Sequence, residues 1–499
     1  MRVILVILAV GAVLTASSVS WATPSITLYV SPSGAADGDG TRARPFGRLE
    51  EARDAIRAMK EGAALPEGGV AVALLPGRYA VSTPFELTAA DAGSGSAPII
   101  YRSAERGKTT LTGAVPIVSW QSVSNPVTRE LLSDKARDHV VWAALPSGVP
   151  TPVPGFANGG CGYRGKPQYP VALFQDETRL PIARWPNGAL ARMGACVGHH
   201  QKRGHVGTTY TEGRFIFESD RLERWNREPD PWLDGLWFHH WADQKMQIEE
   251  IALETRTIAL AQPESHAFGY KTGQHFFAFN MIGEIDRPGE WAVDRDARRI
   301  YLWPTADPNR KPVVAAATDH LVTLEGVADL HFEGLVFEGC RDTAIVARKC
   351  TGLRLRGCTL RHLGSWGVSI DGGRDCAVVG CDLYDLGEGG IKASGGVRNT
   401  LDPGNHLIEN NHIHHFGRIV STYKPGAAIY GVGNRIRHNL IYQAQHQAIF
   451  FRGNDHLIEY NIVHDVCLHS SDAGAIYSCA RDWSRRGTII RHNLFHALG

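Results

Sequence analysis

Seven segments in the C-terminal part of the chain repeat one pattern, and this repeat limits the possible folds more than any other feature. The aligned segments share one column, which holds Leu335, Cys358, Cys381, Asn411, Asn439, Asn461 and Asn493. The column positions are separated by 23, 23, 30, 28, 22 and 32 residues. Each unit contains short alternating segments broken by Gly, Asn or Asp, which are too short and too rich in β-branched residues for helix pairs. A unit of about 22 residues with several short strands is typical of one coil of a right-handed parallel β-helix. The sequence therefore predicts an all-β solenoid of that kind.

The Asn and Cys residues of this column lead to two further predictions. Asn tolerates a left-handed backbone, and its amide can bond to the equivalent Asn one coil away, so we expect a stacked Asn ladder. Cys358 and Cys381 occupy the same column in neighbouring coils. We interpret them as small stacked apolar side chains, with a disulfide as the alternative. The chain has nine cysteines, so at least one thiol stays unpaired.

A second alternating strand follows in each unit. Its period predicts a set of residues that point into the core, namely Val368, Ile391, Ile429, Ile449 and Ile476. The next residue of each strand then forms an outward ladder, namely Ser369, Lys392, Tyr430, Phe450 and Tyr477. Such a row can hold a sugar chain, although a packed face is an equal alternative.

The N-terminus predicts export. Residues 1–22 begin with Arg2, continue as a short apolar run and end in the small-x-small pattern Ser20-Trp21-Ala22, as in a cleavable signal peptide. The apolar run is shorter than the roughly 20 residues of a membrane helix, and no later segment approaches that length. We therefore expect a secreted or periplasmic protein without membrane association after cleavage. A net charge of +1 gives no electrostatic argument for nucleic acid, and we expect a monomer.

The mature chain divides into three predicted parts. Residues 23–124 form N-terminal β-helix coils with a cap helix, because Leu49, Ala52, Ile56 and Met59 share one face and terminal coils need caps. Residues 125–311 interrupt the repeat with segments that alternate like antiparallel strands, including a turn at Asp294 to Ala297, and predict an inserted β domain. Residues 312–499 form the main β-helix. Its last unit, "TIIRHNLFHALG", ends without a cap, from which we expect a truncated C-terminus.

The long gaps between repeats mark elaborated turns, which in solenoids often project from the binding face. Counting back from the aligned strands places Glu388, His446 and Asp472 at the same turn of three coils. Since neighbouring strands lie about 4.7 to 4.9 Å apart, His446 and Asp472 are expected to touch, whereas Glu388 lies roughly 14 Å from Asp472. Glycoside hydrolysis uses two carboxyl groups about 5 to 5.5 Å apart for retention, or about 6.5 to 9.5 Å apart for inversion. A partner acid for Asp472 is therefore expected from a coil that would follow residue 499.

Several long blocks of the sequence carry a family resemblance: "RPFGRLEEARDAIR", "PGEWAVDRDARRIYLWP", "NHIHHFGR", "NDHLIEYNIVHDVC" and "DAGAIYSCARDW". In these blocks the chain resembles glycoside hydrolase family 141, whose members are β-helix enzymes interrupted by a β-rich insertion. The resemblance implies a carbohydrase of fucosidase or xylanase type without a cofactor. It also implies a catalytic pair of carboxylates on consecutive coils. Asp472 matches the first, and the "YLDD"-like segment expected to carry the second is absent here.

The predicted site has Asp472 as its catalytic residue, with a turn aspartate that bonds its own backbone as the alternative. The predicted substrate-binding residues are Glu388, Lys392, Arg418, Tyr423, His446, Arg452, Tyr477, Arg481, Asp482 and Trp483. Asp482 is expected to orient Arg481 through an ion pair, and Trp483 to stack on a sugar or cap the core. Arg418, Tyr423 and Lys424 lie in an elaborated loop that binds hydroxyls or a uronate, or is merely solvated.

A metal is not expected at His412, His414 and His415, because no Cys or carboxylate at ligand spacing completes the set. We interpret these histidines as surface or substrate contacts. Two other functions stay open. One is a polysaccharide lyase or epimerase that acts on uronate polymers with a Lys or Arg base and Ca²⁺ on acidic residues, for which Lys392, Arg452 and Asp371 are candidates. The other is a carbohydrate-binding solenoid without catalysis.

Overall fold

The computed structural model describes residues 24–35, 37–203, 207–261, 268–479 and 482–499. The predicted signal peptide, residues 1–22, lies outside the described residues. Within them, no helix is long and apolar enough to cross a membrane.

Most of the chain winds into a parallel β-helix with three long sheets, which we number 1 to 3 in the order in which each coil visits them. Sheet 1 contains Ile26–Ala35, Val70–Leu74, Ile99–Ser103, Leu330–Glu333, Arg354–Arg356, Ala377–Val379, Leu407–Glu409, Arg435–Arg437, Leu457–Glu459 and Ile489–Arg491. Sheet 2 contains Gly77–Ala80, Thr109–Thr112, Val336–Glu338, Thr359–Leu363, Asp382–Leu386, His412–Phe416, Leu440–Ala444, Ile462–His464 and Leu494–His496. Sheet 3 contains Phe85–Leu87, Val322–Glu325, Ile345–Arg348, Val368–Asp371, Ile391–Val397, Ala427–Val432, Ile449–Asn454 and Ile476–Tyr477, with Asp402–Pro403 paired antiparallel at its side.

The interior of the β-helix follows from the strand period of two. In Val368–Asp371, for example, Val368 and Ile370 are buried while Ser369 faces outward. Repeated over the coils, this alternation produces one continuous apolar core from Leu28 to Ala475. Each fully buried Leu, Ile, Val or Phe side chain contributes roughly 1.5 to 3 kcal/mol of transfer free energy.

The Asn ladder lies between sheets 1 and 2. The Asn411 side-chain amide donates to Asn439 Oδ1 at 3.0 Å, Asn439 to Asn461 at 3.0 Å, and Asn461 to Asn493 at 2.9 Å. The prediction that these asparagines have a left-handed backbone is wrong, because the positive φ belongs to the preceding residue, such as Asn410 at 55°. That residue makes the turn, and the following Asn points inward to bond its neighbours. Cys358 and Cys381 are buried free thiols in the same column, as predicted.

One helix caps the N-terminal end, as predicted. Helix α1, Leu49–Gly62, buries Leu49, Ala52 and Ile56 on the first coils, and Met59 packs partly against them. The Glu51 carboxylate accepts the backbone N–H groups of Gly47 and Arg48 at 2.8 and 3.2 Å, which satisfies donors at the helix start.

The register of sheet 3 differs from the prediction in one coil. Ala427, and not Ile429, pairs with Ile391 on one side and Ile449 on the other. Ile429 is also buried, because a shift of two residues keeps a side chain on the same face. The outward neighbour of Lys392 is therefore Ala428 instead of Tyr430.

An inserted β domain interrupts the third coil. The chain leaves sheet 2 at Gly113 and returns at Ala317, whose N–H donates to the Gly113 carbonyl at 3.1 Å. Its strands are Ala114–Ile117, Gln121–Ser122, Val141–Ala144, Leu173–Gln175, Thr178–Arg179, Arg184–Trp185, Ala191–Arg192, Cys196–Val197, His200–Arg203, Gly207–Tyr210, Arg214–Ile216, Trp232–Gly235, Gln244–Ala252, Thr257–Leu260, His275–Phe279, Trp291–Asp294, Arg299–Leu302 and Val313–Ala316. The insertion also contains two short helices, Pro126–Leu131 and Leu222–Trp225, and a 3₁₀ turn at Ile282–Glu284. Another 3₁₀ turn, Ala89–Asp91, lies before the insertion.

The strands of the insertion form antiparallel hairpins. The hairpin predicted around Asp294 is present, since Asp294 pairs with Arg299, and a second hairpin joins Ala252 to Thr257. Because the insertion leaves and returns between sheets 2 and 3, it stands over that corner of the β-helix. The candidate site lies at this corner.

Candidate functional site

In five successive coils, one residue occupies the corner between sheets 2 and 3, three positions before the sheet 3 strand of that coil. We call this set the corner column: Asp342, Ser365, Glu388, Lys424 and His446. Asp472 lies one coil after His446, at the turn before Ile476–Tyr477. The predicted convergence of Glu388, His446 and Asp472 at one turn is thus present. The corrected register places Lys424 between Glu388 and His446.

Glu388 is buried in an ion pair. Its Oε1 lies 2.9 Å from Lys424 Nζ, and its Oε2 accepts a hydrogen bond from the Ser365 hydroxyl at 2.9 Å. The Glu388 side chain is only 4% exposed and that of Lys424 is 21% exposed. Both carboxylate oxygens of Glu388 are therefore engaged, and its charge is balanced one coil away.

The inserted domain covers the early part of the corner column. Tyr169 hydrogen-bonds to Ser365 and lies beside Glu388 and Asp342, and burial raises the pKa of the Tyr169 phenol. The Tyr169 carbonyl accepts a hydrogen bond from Arg341 at 2.8 Å. Burial also raises the pKa of Asp342.

Asp472 and His446 form the open end of the corner. Asp472 is exposed and has a left-handed backbone with φ of 52°. His446 is 1% exposed, and burial lowers the pKa of its imidazole to about 4 against the opposing field of the Asp243 and Asp472 carboxylates. His446 is therefore neutral at neutral pH and presents a polar ring without a charge.

Aromatic side chains from both parts of the chain surround this end. We call the set of His239, Trp241, Tyr423 and Tyr477 the aromatic wall. The Tyr423 ring lies 4.6 Å from the His446 ring, 5.8 Å from Tyr477 and 6.3 Å from Trp241. His239 stacks on Trp241 at 4.4 Å. Tyr423 also hydrogen-bonds to Tyr477, and burial raises its pKa. All four side chains are partly exposed, so the wall borders solvent.

Asp243 of the insertion holds the loop that carries Tyr423. Its carboxylate accepts the backbone N–H groups of Ser421 and Thr422 at 2.9 and 3.2 Å, together with the Thr422 hydroxyl. Gly160 packs so closely that a Cβ atom there would lie 1.8 Å from Thr422 Oγ1. Asp243, Trp241 and Tyr169 belong to the insertion, and the repeat pattern gave no signal for them.

A cavity of about 450 Å³ lies on the far side of the same loop, between the insertion and the β-helix. Its lining includes Asp234, Arg418, Thr422, Gln445 and Ser470. This volume is within the range of small-molecule sites. Arg418 lines this cavity, and its Nε lies 2.9 Å from Asp385 Oδ1.

A second groove, of about 300 Å³, lies on the outer face of sheet 3 and is lined by Asp371, Lys392, Ser394 and Tyr430 among others. Lys392 Nζ sits 5.2 Å from the Trp366 ring centroid. Burial lowers the pKa of Lys392, against the opposing effect of Glu388.

The outward ladder is partly covered. Phe450 is buried, because Ala428 and Trp366 pack with it in a small outer cluster that Tyr430 and Tyr477 border. Arg452 crosses the Phe450 ring at 5.5 Å and donates to the Cys479 carbonyl at 2.9 Å. The structure thus places Arg452 at the rim of this cluster.

The loop after Tyr477 differs from expectation. Asp482 pairs with Arg398 at 2.8 Å and accepts from the Ser484 hydroxyl and N–H; these contacts lower its pKa to about 2. Arg481, its predicted partner, lies outside the described residues. Trp483 is 97% exposed, so the alternative in which it caps the core is wrong.

The geometry brings Tyr423, His446, Asp472 and Tyr477 together. Glu388 lies three coils from Asp472, at the covered end of the corner. Lys392 faces the sheet 3 groove, and Arg418 faces the cavity.

Comparisons with known proteins support the architecture. A family model for the right-handed β-helix region matches residues 320–495. The chain is similar to a solved structure described as "Glycoside hydrolase", with 16% identity, a TM-score of 0.75, and coverage of 95% of this chain and 88% of that one. It is also similar to a structure described as "The complex structure of XylC with xylose", with 13% identity, a TM-score of 0.51, and coverage of 89% and 62%. No curated protein matches the sequence. These similarities confirm the predicted right-handed parallel β-helix fold.

Proposed function

We propose that this chain is a glycoside hydrolase of the family 141 type, fucosidase- or xylanase-like, that binds sugar at the open end of the corner. The observation that carries the proposal is the exposed Asp472 carboxylate, whose charge opposes the lowered pKa of His446 and adds to the raised pKa of Tyr423, a residue of the aromatic wall. Aromatic rings present apolar faces on which sugar rings stack, and their polar edges can bond hydroxyls. The names of the two similar structures, a glycoside hydrolase and a xylose complex, agree with this chemistry.

Asp472 is assigned as one catalytic carboxylate, either the nucleophile that bonds to the anomeric carbon or the base that removes a proton from the attacking water; the leaving-group oxygen takes its proton from a second acid. Glu388 is not assigned as the second. Three coils separate the two residues, roughly 14 Å at the usual strand spacing, which exceeds both carboxyl separations used by glycosidases. Glu388 is also engaged by Lys424 and Ser365. Tyr423 is assigned to substrate hydroxyls and Trp241 and Tyr477 to stacking, whereas the buried His446 is assigned to supporting the Tyr423 ring that packs against it.

The cellular location, the substrate class and the oligomeric state are proposed as well. We propose that residues 1–22 direct export to the periplasm or the medium, where a polysaccharide or oligosaccharide is the substrate of a monomeric enzyme. The N-terminal sequence of the exported protein would check the cleavage site, and an intact Met1 in the mature protein would contradict it.

The test uses the 499-residue protein and Asp472→Asn. Asn keeps the size and tolerates the left-handed backbone, so folding should be unchanged. Release of reducing sugar from fucosylated and xylan-type polysaccharides should fall by at least about 10³-fold, since the carboxylate is lost from the reaction. The matched control is Asp455→Asn, an exposed aspartate with φ of 56° at another corner, which should keep full activity. Equal turnover by Asp472→Asn would refute the assignment of Asp472, and absence of hydrolysis by the unmodified protein would refute the proposal that this chain is an active hydrolase by itself.

A second function is favoured by one specific observation, the lowered pKa of Lys392 in the sheet 3 groove. A lowered pKa increases the share of the amine form, and a lysine amine is a base that can remove the proton next to a uronate carboxylate, as a lyase requires. On this alternative Lys392 is the base, and Asp371 and Arg452 contact the substrate. A lyase product carries an ultraviolet-absorbing double bond, whereas hydrolysis adds water without one. Absorbance growth on uronate polymers that is abolished by Lys392→Met would favour the lyase.

A further inference from the structure

Three potential metal ligands meet on the outer face of sheet 2, away from the corner. Asp382 begins the strand Asp382–Leu386, and His412 and His414 lie in the next strand, His412–Phe416. Asp382 pairs directly with His412 across the two coils, and His414 lies two residues further along the same face. The prediction that no carboxylate completes this histidine set is therefore wrong. Asp382 is 30 residues earlier in the sequence, and coil stacking brings it into place.

The distances suit one small cation. Asp382 Oδ1 lies 3.0 Å from His412 Nδ1 and 3.7 Å from His414 Nε2. The three candidate ligand atoms all lie within 4.8 Å of one another. A tetrahedral zinc ion with bonds of about 2.0 to 2.2 Å separates its ligand atoms by about 3.3 to 3.6 Å, and the two measured distances lie on either side of this range. Asp382 Oδ1 is buried and makes no hydrogen bond of good geometry among the described residues.

The other nitrogen of each imidazole is already engaged. His412 Nε2 lies 3.0 Å from the Tyr442 hydroxyl, and His414 Nδ1 lies 2.7 Å from His415 Nδ1. The His414 ring is also stacked between Tyr384 and Tyr442 at 5.2 and 5.1 Å. Metal-binding histidines usually have such a partner on the second nitrogen, because it fixes the tautomer and the ring orientation.

We propose that Asp382, His412 and His414 bind one Zn²⁺ ion, with water in the fourth position. Two imidazoles and one carboxylate suit zinc and related borderline cations, whereas Ca²⁺ and Mg²⁺ prefer oxygen ligands alone. The ion joins two successive strands of sheet 2, which are separated in the sequence by the long connection between residues 386 and 412. Its role is to hold these strands together, so the site is independent of the glycosidase proposal.

The test is calorimetric titration of chelator-treated full-length protein with ZnCl₂. The unmodified protein should bind one equivalent of zinc. The variants Asp382→Ala and His412→Ala should each weaken the zinc affinity by at least about 100-fold, and Tyr442→Phe should weaken it by roughly 10-fold. The matched control is His464→Ala, from the same outer row, whose Nδ1 instead pairs with Asp465 at 2.7 Å. That variant should bind zinc within about twofold of the unmodified protein.

A second measurement separates binding from folding. Zinc should raise the thermal unfolding temperature of the unmodified protein and of His464→Ala, but not that of Asp382→Ala or His412→Ala. Co²⁺ bound to the unmodified protein should show the visible absorption of a tetrahedral site with nitrogen and oxygen ligands. No saturable zinc binding, or binding that survives in both ligand variants, would overturn the proposal. An octahedral cobalt spectrum would overturn its geometry.

Discussion

The Glu388–Lys424 ion pair provides a quantitative test of how the corner is held. The two charged atoms lie 2.9 Å apart, and the side chains are 4% and 21% exposed. At an effective dielectric constant of about 20, the attraction is about 6 kcal/mol, most of which is offset by desolvation of the two charges. Removal of one partner leaves the other charge buried, so Glu388→Gln and Lys424→Met should each lower the unfolding free energy by about 3 kcal/mol.

The assay is a double-mutant cycle followed by urea unfolding. The double variant should be at least about 2 kcal/mol more stable than the sum of the single effects, because neither charge is then stranded. The matched control is the pair Lys349–Glu325, also between adjacent coils of sheet 3, at 3.6 Å with side chains 81% and 52% exposed. Its coupling should stay below about 0.5 kcal/mol. Equal coupling in the two cycles would refute the claim that the insertion and the corner desolvate Glu388.

Two further predictions concern the buried polar groups. Asn439→Ala should cost about 3 kcal/mol in the free energy of unfolding, measured with urea, because Asn439 bonds to both neighbouring ladder residues and to the Ile408 and Arg437 carbonyls; the exposed His438→Ala should cost little. The pKa of His446 is lowered to about 4 in the folded protein, so its contribution to stability is complete above about pH 6.5 and is lost as pH falls towards 4. His446→Gln should therefore flatten unfolding free energy between pH 6.5 and 4, and an unchanged slope would show that His446 is not the responsible group.

Most of the fold was predictable because coil repetition and side-chain period are local signals. The β-helix, the cap helix, the hairpin around Asp294 and the Asn ladder all follow from them. The register of the coil that contains Ile429 was not predictable, because Ala427 and Ile429 lie on the same face and a period of two cannot choose between them. The prediction placed the left-handed backbone one residue too late, because the sequence does not show which of the two turn residues points its side chain inward.

The candidate site was only partly predictable. The corner residues Glu388, His446 and Asp472 came from counting along strands, which coil stacking preserves. Trp241 and Asp243 reach the site through tertiary contacts of the insertion, which no spacing encodes. Asp382 was missed for a related reason, because its ligand partners lie in the next coil.

The most direct test of the central claim measures sugar binding and hydrolysis in the same samples of unmodified protein and Asp472→Asn. Quenching of tryptophan fluorescence by an oligosaccharide reports on the aromatic wall, and product release reports on the carboxylate. The account predicts equal quenching in both proteins and hydrolysis only in the unmodified one. Hydrolysis by both proteins would contradict the assignment of Asp472, and binding without hydrolysis by either would contradict the proposal that this chain is an active hydrolase by itself.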